Sequence, residues 1–311
     1  MPAKPVTPHR VAHTPPARGV QVLQRWETRV PATKVLPVTT RTDIALLFPG
    51  QGSQTPDMRD DVAREVPDLL DRCIELVGED PFPRVDESTR FAQPAIFCAS
   101  MAGWHKSDAE PAMAAGHSLG EIGALTAAGV LELDDAIRLV ALRGKLMAEA
   151  DDTGSMLALL GGTIEDAEAI AQSAGVTVAN DNAPGQVVLS GERGALSEAE
   201  EAAREYNVRA RPLDVAGAFH SPRMEPAVAP FRKALAEVKL GDPRFPVYCG
   251  ATAAPFTDVH TELADALIRP VRWRETFLAL LDAGAEDFVE TGPGTVLSKM
   301  ARRITKEAAH A

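Results

Sequence analysis

Residues 116–120 read Gly116-His-Ser-Leu-Gly120, set between a small apolar run from Ala112 to Ala115 and a stretch from Glu121 to Ala128 with the composition of a helix. A G-x-S-x-G sequence in that setting is the pattern of a nucleophile elbow, with Ser118 as the candidate nucleophile. A sharp strand-to-helix turn leaves little room on either side of the serine, and glycines at 116 and 120 supply the clearance. The turn also places Ser118 at the start of a helix. There, unpaired backbone N–H groups, that of Leu119 first among them, and the positive end of the helix dipole favour a developing oxyanion.

Outward from the elbow, strands and helices alternate. Ile44-Ala-Leu-Leu-Phe48 is a short apolar run closed by Pro49 and Gly50, which predicts a buried strand entering the loop Gly50-Gln-Gly-Ser-Gln54. Gln51, flanked by glycines, offers a ligand both a backbone donor and a side-chain amide; an ordinary turn has the same composition. Helices are predicted over Arg59–Val77, around Gln93–Trp104, and from Asp134 as N-cap to about Ala150. On the last of these Ala136, Val140, Arg143 and Met147 recur at helical spacing, flanked by Leu139, Leu142 and Leu146, so Arg143 lies on an apolar stripe. Such an arginine either snorkels to solvent, pairs with a structural carboxylate, or clamps a substrate carboxylate, for which the planar guanidinium fork suits better than lysine.

Residues 154–216 read as a separate unit: strand Ser155–Leu160, helix Ile164–Ser173, strands Val176–Asn180 and Gln186–Ser190 joined by a Pro-Gly turn, helix Ala195–Tyr206, and strand Arg209–Val215. The order βαββαβ is that of a ferredoxin-like module. It interrupts a larger unit, 43–153 and 217–306, whose alternation resumes at Pro246–Gly250 and Asp287–Thr291. A cleft between two such units is a natural ligand site. At the return point stands Gly217-Ala-Phe-His220. His220 is the best candidate for a base acting on Ser118, although a histidine in a glycine-entered loop serves structure as readily as catalysis. Asp214 is the nearest acid that could orient it; a backbone carbonyl is the alternative.

Composition narrows the partners. The 311 residues are 45% hydrophobic and carry a net charge of −12, enough for one large domain or a large domain with an inserted small one, and unsuited to nucleic acid. Residues 1–42 hold seven prolines, seven Lys or Arg and the single acid Glu27, so they contribute +6 and the rest −18. That stretch cannot build a core and reads as a disordered tail or an over-long gene start; a docking arm or an organelle transit peptide is the alternative, and the prolines count against the amphipathic helix a transit peptide needs. Cys73, Cys98 and Cys249 have no metal or redox spacing. With no apolar run of about 18 residues and no apolar signal core, a soluble, cytoplasmic protein that meets no membrane is expected.

Six motifs occur in order: Phe48-Pro-Gly-Gln-Gly-Ser-Gln54, Gly116-His-Ser-Leu-Gly-Glu121, Arg143-Gly-Lys145, Asn182-Ala-Pro-Gly-Gln186, Gly217-Ala-Phe-His220 and Glu290-Thr-Gly-Pro-Gly294. In this, residues 43–306 resemble the malonyl-CoA:acyl carrier protein transacylases, the acyltransferases of fatty acid and polyketide synthesis. The resemblance implies an α/β fold, an α/β-hydrolase-like large subdomain with an inserted ferredoxin-like small subdomain, and ping-pong acyl transfer from malonyl-CoA to an acyl carrier protein. It implies Ser118 as the acylated residue, His220 as the base, Arg143 as the grip on the malonyl carboxylate, and Gln51 with Leu119 as the backbone oxyanion hole. Phe219 resembles the bulky residue of malonyl-selective members, and His117 and Asn182 fall on substrate-binding positions. No cofactor and no metal are implied, since malonyl-CoA is a substrate, and a monomer is expected. Ala266 stands where many members carry a Gln or Asn whose carbonyl braces the histidine. An esterase of the same class would instead need an acidic third member and no Arg143, and a proofreading acyl hydrolase resembles the family but usually lacks that arginine.

An acidic carrier calls for a local basic patch, for which Arg204, Arg209, Arg211, Arg223, Arg302, Arg303 and Lys306 are candidates.

Overall fold

A computed structural model describes residues 43–310; the N-terminal stretch read as a tail lies outside the described residues. Among the described residues nine strands form two sheets. In the larger, strands β1 (Ile44–Phe48), β2 (Met113–Gly116), β7 (Val247–Cys249), β8 (Ala254–Pro255) and β9 (Asp287–Glu290) lie in the order β8-β7-β2-β1-β9. Parallel pairing joins β1 to β2 and β9, and β2 to β7, while β8 is an antiparallel edge. The central strands are apolar without alternation because both faces are covered. Ala45, Leu47, Met113 and Ala115 pack against Trp273, Phe277 and Leu280 of one helix and Leu297, Met300 and Ile304 of another. On the other face Phe48 lies against the helix that follows the elbow, where Gly123 leaves room for its ring.

The smaller sheet contains β3 (Gly154–Leu160), β4 (Thr177–Ala183), β5 (Gln186–Glu192) and β6 (Arg209–Pro212) in the order β4-β5-β3-β6, antiparallel throughout. With helices Ile164–Ala174 and Arg193–Glu205 this is the βαββαβ arrangement of a ferredoxin-like module. Leu157, Leu159, Val187 and Leu189 face those helices, and Met156, Ala158 and Val188 face the cleft between the sheets. The small sheet is tied to the large unit along β4: Asp181 N–H donates to Val271 O at 3.0 Å, Val271 N–H to Ala179 O at 2.8 Å, and Arg274 on the helix Trp273–Asp282 pairs with Asp181 at 2.9 Å.

Several boundaries differ from the sequence reading. The helix expected over Arg59–Val77 is two, α1 (Met58–Glu65) and α2 (Pro67–Val77). Val66 between them sits at φ −147°, ψ 66°, because a residue before proline is pushed out of the helical region. Helix α3 begins at Thr89, four residues before the expected Gln93, and runs to Lys106 with Ser88 as its capping residue. The elbow helix, α4, is Gly120–Ala128, and α5 is Leu133–Ala150. Asp134 is therefore not the N-cap of α5, a position held by Glu132; it lies in the first turn, where both carboxylate oxygens accept from Arg72 and tie α5 to α2. Strand β6 ends at Pro212, so Asp214 is not on a strand.

Candidate active site

Ser118 adopts φ +53°, a left-handed conformation costly for a residue with a Cβ. The surroundings impose it. A Cβ on Gly116 would stand 1.9 Å from the Gly120 carbonyl carbon, and one on Gly120 would stand 1.9 Å from the Phe48 carbonyl oxygen. Both distances are far inside van der Waals contact, so only glycine lets the chain reverse between β2 and α4 with the serine at its apex. Gly50 is equally constrained, because a Cβ there would meet the His117 oxygen at 2.5 Å. The β1 loop is thus pressed onto the elbow, and Gln51 beside Leu119 lines the same cleft. Leu119 precedes the first residue of α4, so its N–H belongs to the helix end that the ladder cannot satisfy.

Ser118 Oγ lies 2.8 Å from His220 Nε2. On the far side of the ring, Nδ1 faces two carbonyl oxygens, Ala266 O at 2.9 Å and Arg269 O at 3.1 Å. Carbonyls only accept, so Nδ1 carries the proton and Nε2 presents its lone pair to the serine hydroxyl. Asp214 plays no part in orienting the ring: it is exposed at the cleft wall. A side chain at 266 is not needed for the brace, since the main chain supplies it. Burial first, then the positive charge of Arg143, pushes the His220 pKa down to about 3, so the free site holds a neutral imidazole. His220 is itself at φ +57°, and Gly217 at φ +133° admits the Phe219 ring, whose Cε1 would be 2.7 Å from a Cβ at 217. Phe219 is buried and lines the cleft.

Arg143 is 3% exposed. Its Nη1 donates to Gln93 Oε1 at 2.8 Å and its Nη2 to Ser118 Oγ at 3.0 Å. Of the alternatives open for an arginine on an apolar stripe, snorkelling and a direct salt bridge are both ruled out by this geometry: the fork is buried and its partners are neutral. Gly144 makes the arrangement possible, since a Cβ there would be 2.7 Å from Thr89 O. Helices α3 and α5 approach closely, and Gln93 reaches the guanidinium. Burial lowers the Arg143 pKa to about 10, with the charge of Glu121 acting in the opposite sense, so the group remains a cation at neutral pH.

His117 Nε2 and Asn182 Oδ1 are 2.8 Å apart, which links the elbow to β4. Burial lowers the His117 pKa. The sequence reading brought together Ser118, His220, Arg143, Gln51, Leu119, Phe219, His117 and Asn182, and all of them line or adjoin one cleft of about 600 Å³. Two residues that the motifs do not mark out for a role also belong here. Gln93 is the acceptor for Arg143; a polar residue followed by Pro94 inside the apolar run Phe91–Cys98 is its only signal in the sequence. Glu121, buried at 2% exposure, accepts from Gly250 N–H at 2.7 Å. Among the described residues no cluster of His, Cys, Asp and Glu could hold a metal ion, and no helix is long and apolar enough to cross a membrane. Of the basic residues considered for a patch, Arg223 is engaged by Asp151 and Arg303 by Gln186 and Pro184.

Comparison with known proteins agrees with this fold. The profile of the acyl transferase domain matches residues 46–311. The polyketide biosynthesis malonyl CoA-acyl carrier protein transacylase BaeC of Bacillus velezensis is 36% identical over 284 residues, covering 85% of this chain and 97% of BaeC. The polyketide biosynthesis protein ThaF of Burkholderia thailandensis is 36% identical over 285 residues, 86% of this chain, which spans only 24% of ThaF. Among solved structures, a malonyl-transacylase in complex with its type II polyketide acyl carrier protein, PlMCAT:AntF, superposes with a TM-score of 0.78 at 35% identity, covering 85% of this chain and 93% of that one. An elbow serine, a histidine within hydrogen-bond reach of it, and agreement over nearly the whole described chain place this protein in the acyl transferase domain family.

Proposed function

We propose that the protein transfers a malonyl group from malonyl-CoA to the phosphopantetheine thiol of an acyl carrier protein. One observation carries the substrate class: a buried arginine whose fork reaches the nucleophile itself, Nη2 to Ser118 Oγ at 3.0 Å. A cation held there among neutral partners favours an acyl group that brings its own carboxylate, in bidentate register with the fork. Phe219 narrows the cleft beside His220 and disfavours a branch at the α-carbon.

The chemistry follows from the hydrogen bonds. His220 Nε2 takes the Ser118 hydroxyl proton as Oγ attacks the thioester carbonyl carbon. The resulting oxyanion is held by the Gln51 and Leu119 N–H groups. As the C–S bond breaks, the imidazolium returns the proton to the departing CoA sulfur. In the second half the carrier thiol gives its proton to His220, attacks the Ser118 ester, and the serine leaves with that proton. Within each half the ring bears a positive charge only while it holds the transferred proton, and it is neutral in the acyl-enzyme between the halves. Its low basicity in the empty site comes partly from Arg143, so a carboxylate that neutralises the guanidinium raises the basicity of His220 when substrate is in place. Substrate thereby helps to activate the base.

The test is covalent capture. Incubation with malonyl-CoA, a quench, and peptide mass spectrometry should locate a malonyl adduct on Ser118, and addition of phosphopantetheinylated carrier should discharge it onto the carrier. An adduct elsewhere, or discharge only to water, refutes the assignment.

A further inference from the structure

Glu290-Thr-Gly-Pro-Gly294, the last of the six ordered motifs, supplies no group to the acyl transfer. Glu290 ends β9, and its carboxylate reaches across the turn that follows: Oε1 accepts from Leu297 N–H at 2.9 Å, and Oε2 from Ser298 N–H at 2.8 Å and from the Ser298 hydroxyl at 2.6 Å. Those N–H groups open the helix Val296–Ala308 and have no acceptor within it, and the positive end of the helix dipole favours an anion there. The carboxylate therefore ties the two ends of the turn 291–296 together. Held in this way, the turn is pressed onto the loop that carries Gln51. Thr291 N–H donates to Leu47 O on β1 at 3.0 Å. A Cβ on Gly292 would stand 2.1 Å from Pro49 Cγ, and one on Gly294, at φ +73°, would stand 3.1 Å from Ser53 O. On its other side the turn meets α3, where a Cβ on Gly103 would stand 1.7 Å from Thr291 O. Pro49 and Ser53 flank Gly50-Gln51-Gly52, and Ser53 Oγ donates to Gly50 O at 2.8 Å across the loop. The tip has little packing of its own: Gln51 and Gly52 are exposed, a Cβ on Gly52 would meet nothing within 4 Å, and Gly52 N–H is held by the Gln54 side chain at 2.9 Å. The Gln51 N–H is thus placed through its flanks, which rest on the turn 291–294 and on His117.

We propose that Glu290 is a positioning residue for the oxyanion hole: its carboxylate holds the turn 291–294 against the flanks of the Gln51 loop, and so sets the Gln51 N–H relative to the Leu119 N–H where the thioester oxygen becomes negative. This rests on the proposed acyl transfer, with Gln51 and Leu119 as the donors. A donor moved out of line matters little to a neutral carbonyl in the ground state and much to an oxyanion. Loss of the Glu290 carboxylate therefore slows acylation and leaves thioester binding alone. Malonyl-CoA and acetyl-CoA suffer alike, since the oxyanion is common to both. Removing an oxyanion donor outright costs about 10² to 10³ in rate, so a donor that is loosened rather than lost costs about tenfold to 10².

The experiment compares the full chain with its Glu290→Ala variant. Rapid-quench measurement of Ser118 acylation against the concentration of malonyl-CoA, and separately of acetyl-CoA, yields a limiting rate and a half-saturation concentration. Isotope-edited infrared spectroscopy of the acyl-enzyme, made from thioester labelled at its carbonyl carbon, reads the ester carbonyl, which hydrogen bonds in the oxyanion hole draw to lower frequency. Expected for Glu290→Ala are a limiting rate lower by about tenfold to 10² with both thioesters, half-saturation within about twofold of wild type, and a carbonyl band moved to higher frequency. Ser298→Ala, which deletes one of the three bonds to the carboxylate, shows the same signature in smaller measure and decides the matter should Glu290→Ala fail to fold. A limiting rate that is unchanged in the folded variant, a loss confined to half-saturation, or an unmoved carbonyl band overturns the proposal and leaves Glu290 as a helix cap. A loss with malonyl-CoA alone places the effect at Arg143 and also overturns it. No acyl adduct on Ser118 in the wild-type protein removes the proposed transfer, and this inference with it.

Discussion

Arg143→Ala is the substitution that most directly separates a substrate grip from a structural arginine. The side chain is fully enclosed and makes two hydrogen bonds, to Gln93 Oε1 and Ser118 Oγ. On the proposed reading, truncation takes from the malonyl carboxylate its buried cationic partner in the cleft wall. Removing one member of a buried ion pair costs about 3–5 kcal/mol, so kcat/KM for malonyl-CoA should fall by roughly 10² to 10⁴. Acetyl-CoA has no carboxylate to lose, and its reaction should hold steady or rise, because the same change removes a charge that suppresses His220. The assay is the ratio of kcat/KM for malonyl-CoA over acetyl-CoA in both proteins, with a melting curve to show that the variant is folded. A ratio unchanged within a factor of about two, in a folded variant, would mean that Arg143 serves the fold and that the substrate class is wrong.

Ser118→Ala should abolish transfer and His220→Ala should lower it by orders of magnitude, with the double variant no slower than Ser118→Ala alone, because the two act as one unit; multiplicative losses in single-turnover rates would contradict the pairing. Asp151 accepts from Gly154 N–H and Ala218 N–H and is gripped by Arg223, which holds its carboxyl well below the usual carboxylate range. Its contribution is therefore present above the unfolded carboxylate pKa, near 4, and is lost as pH falls below it; Asp151→Ala should cost roughly 2–3 kcal/mol at neutral pH in denaturant unfolding, and the gap to wild type should close in acid. Gly144→Ala places a methyl 2.7 Å from Thr89 O, so it should destabilise by roughly 1–3 kcal/mol and, by moving Gln93 away from Arg143, weaken malonyl-CoA turnover more than acetyl-CoA turnover. Equal effects on the two substrates would show that Gln93 does not help hold the fork.

Much of the site is legible in the amino-acid sequence, because it depends on local chemistry. The elbow is written in five residues, since only glycine fits where Gly116 and Gly120 meet backbone at 1.9 Å. The small sheet is written in its alternation of strand and helix, and Arg143 betrays itself by sitting on a stripe of apolar neighbours. What the sequence leaves open is every relation between distant segments. Whether Asp214 or a carbonyl orients His220 does not follow from spacing, because a backbone oxygen has no residue identity; the fold brings Ala266 and Arg269 to the ring from about fifty positions away. Gln93 and Glu121 escape for the same reason. Each is an ordinary polar residue in its own helix, and each finds its partner only when the close packing of α3 on α5 sets Gln93 against the Arg143 guanidinium, or that of α4 on the end of β7 sets Glu121 against the Gly250 N–H. Local sequence dictates which residues can react, and tertiary burial, which removes water and makes unpaired charges costly, decides their protonation and their partners.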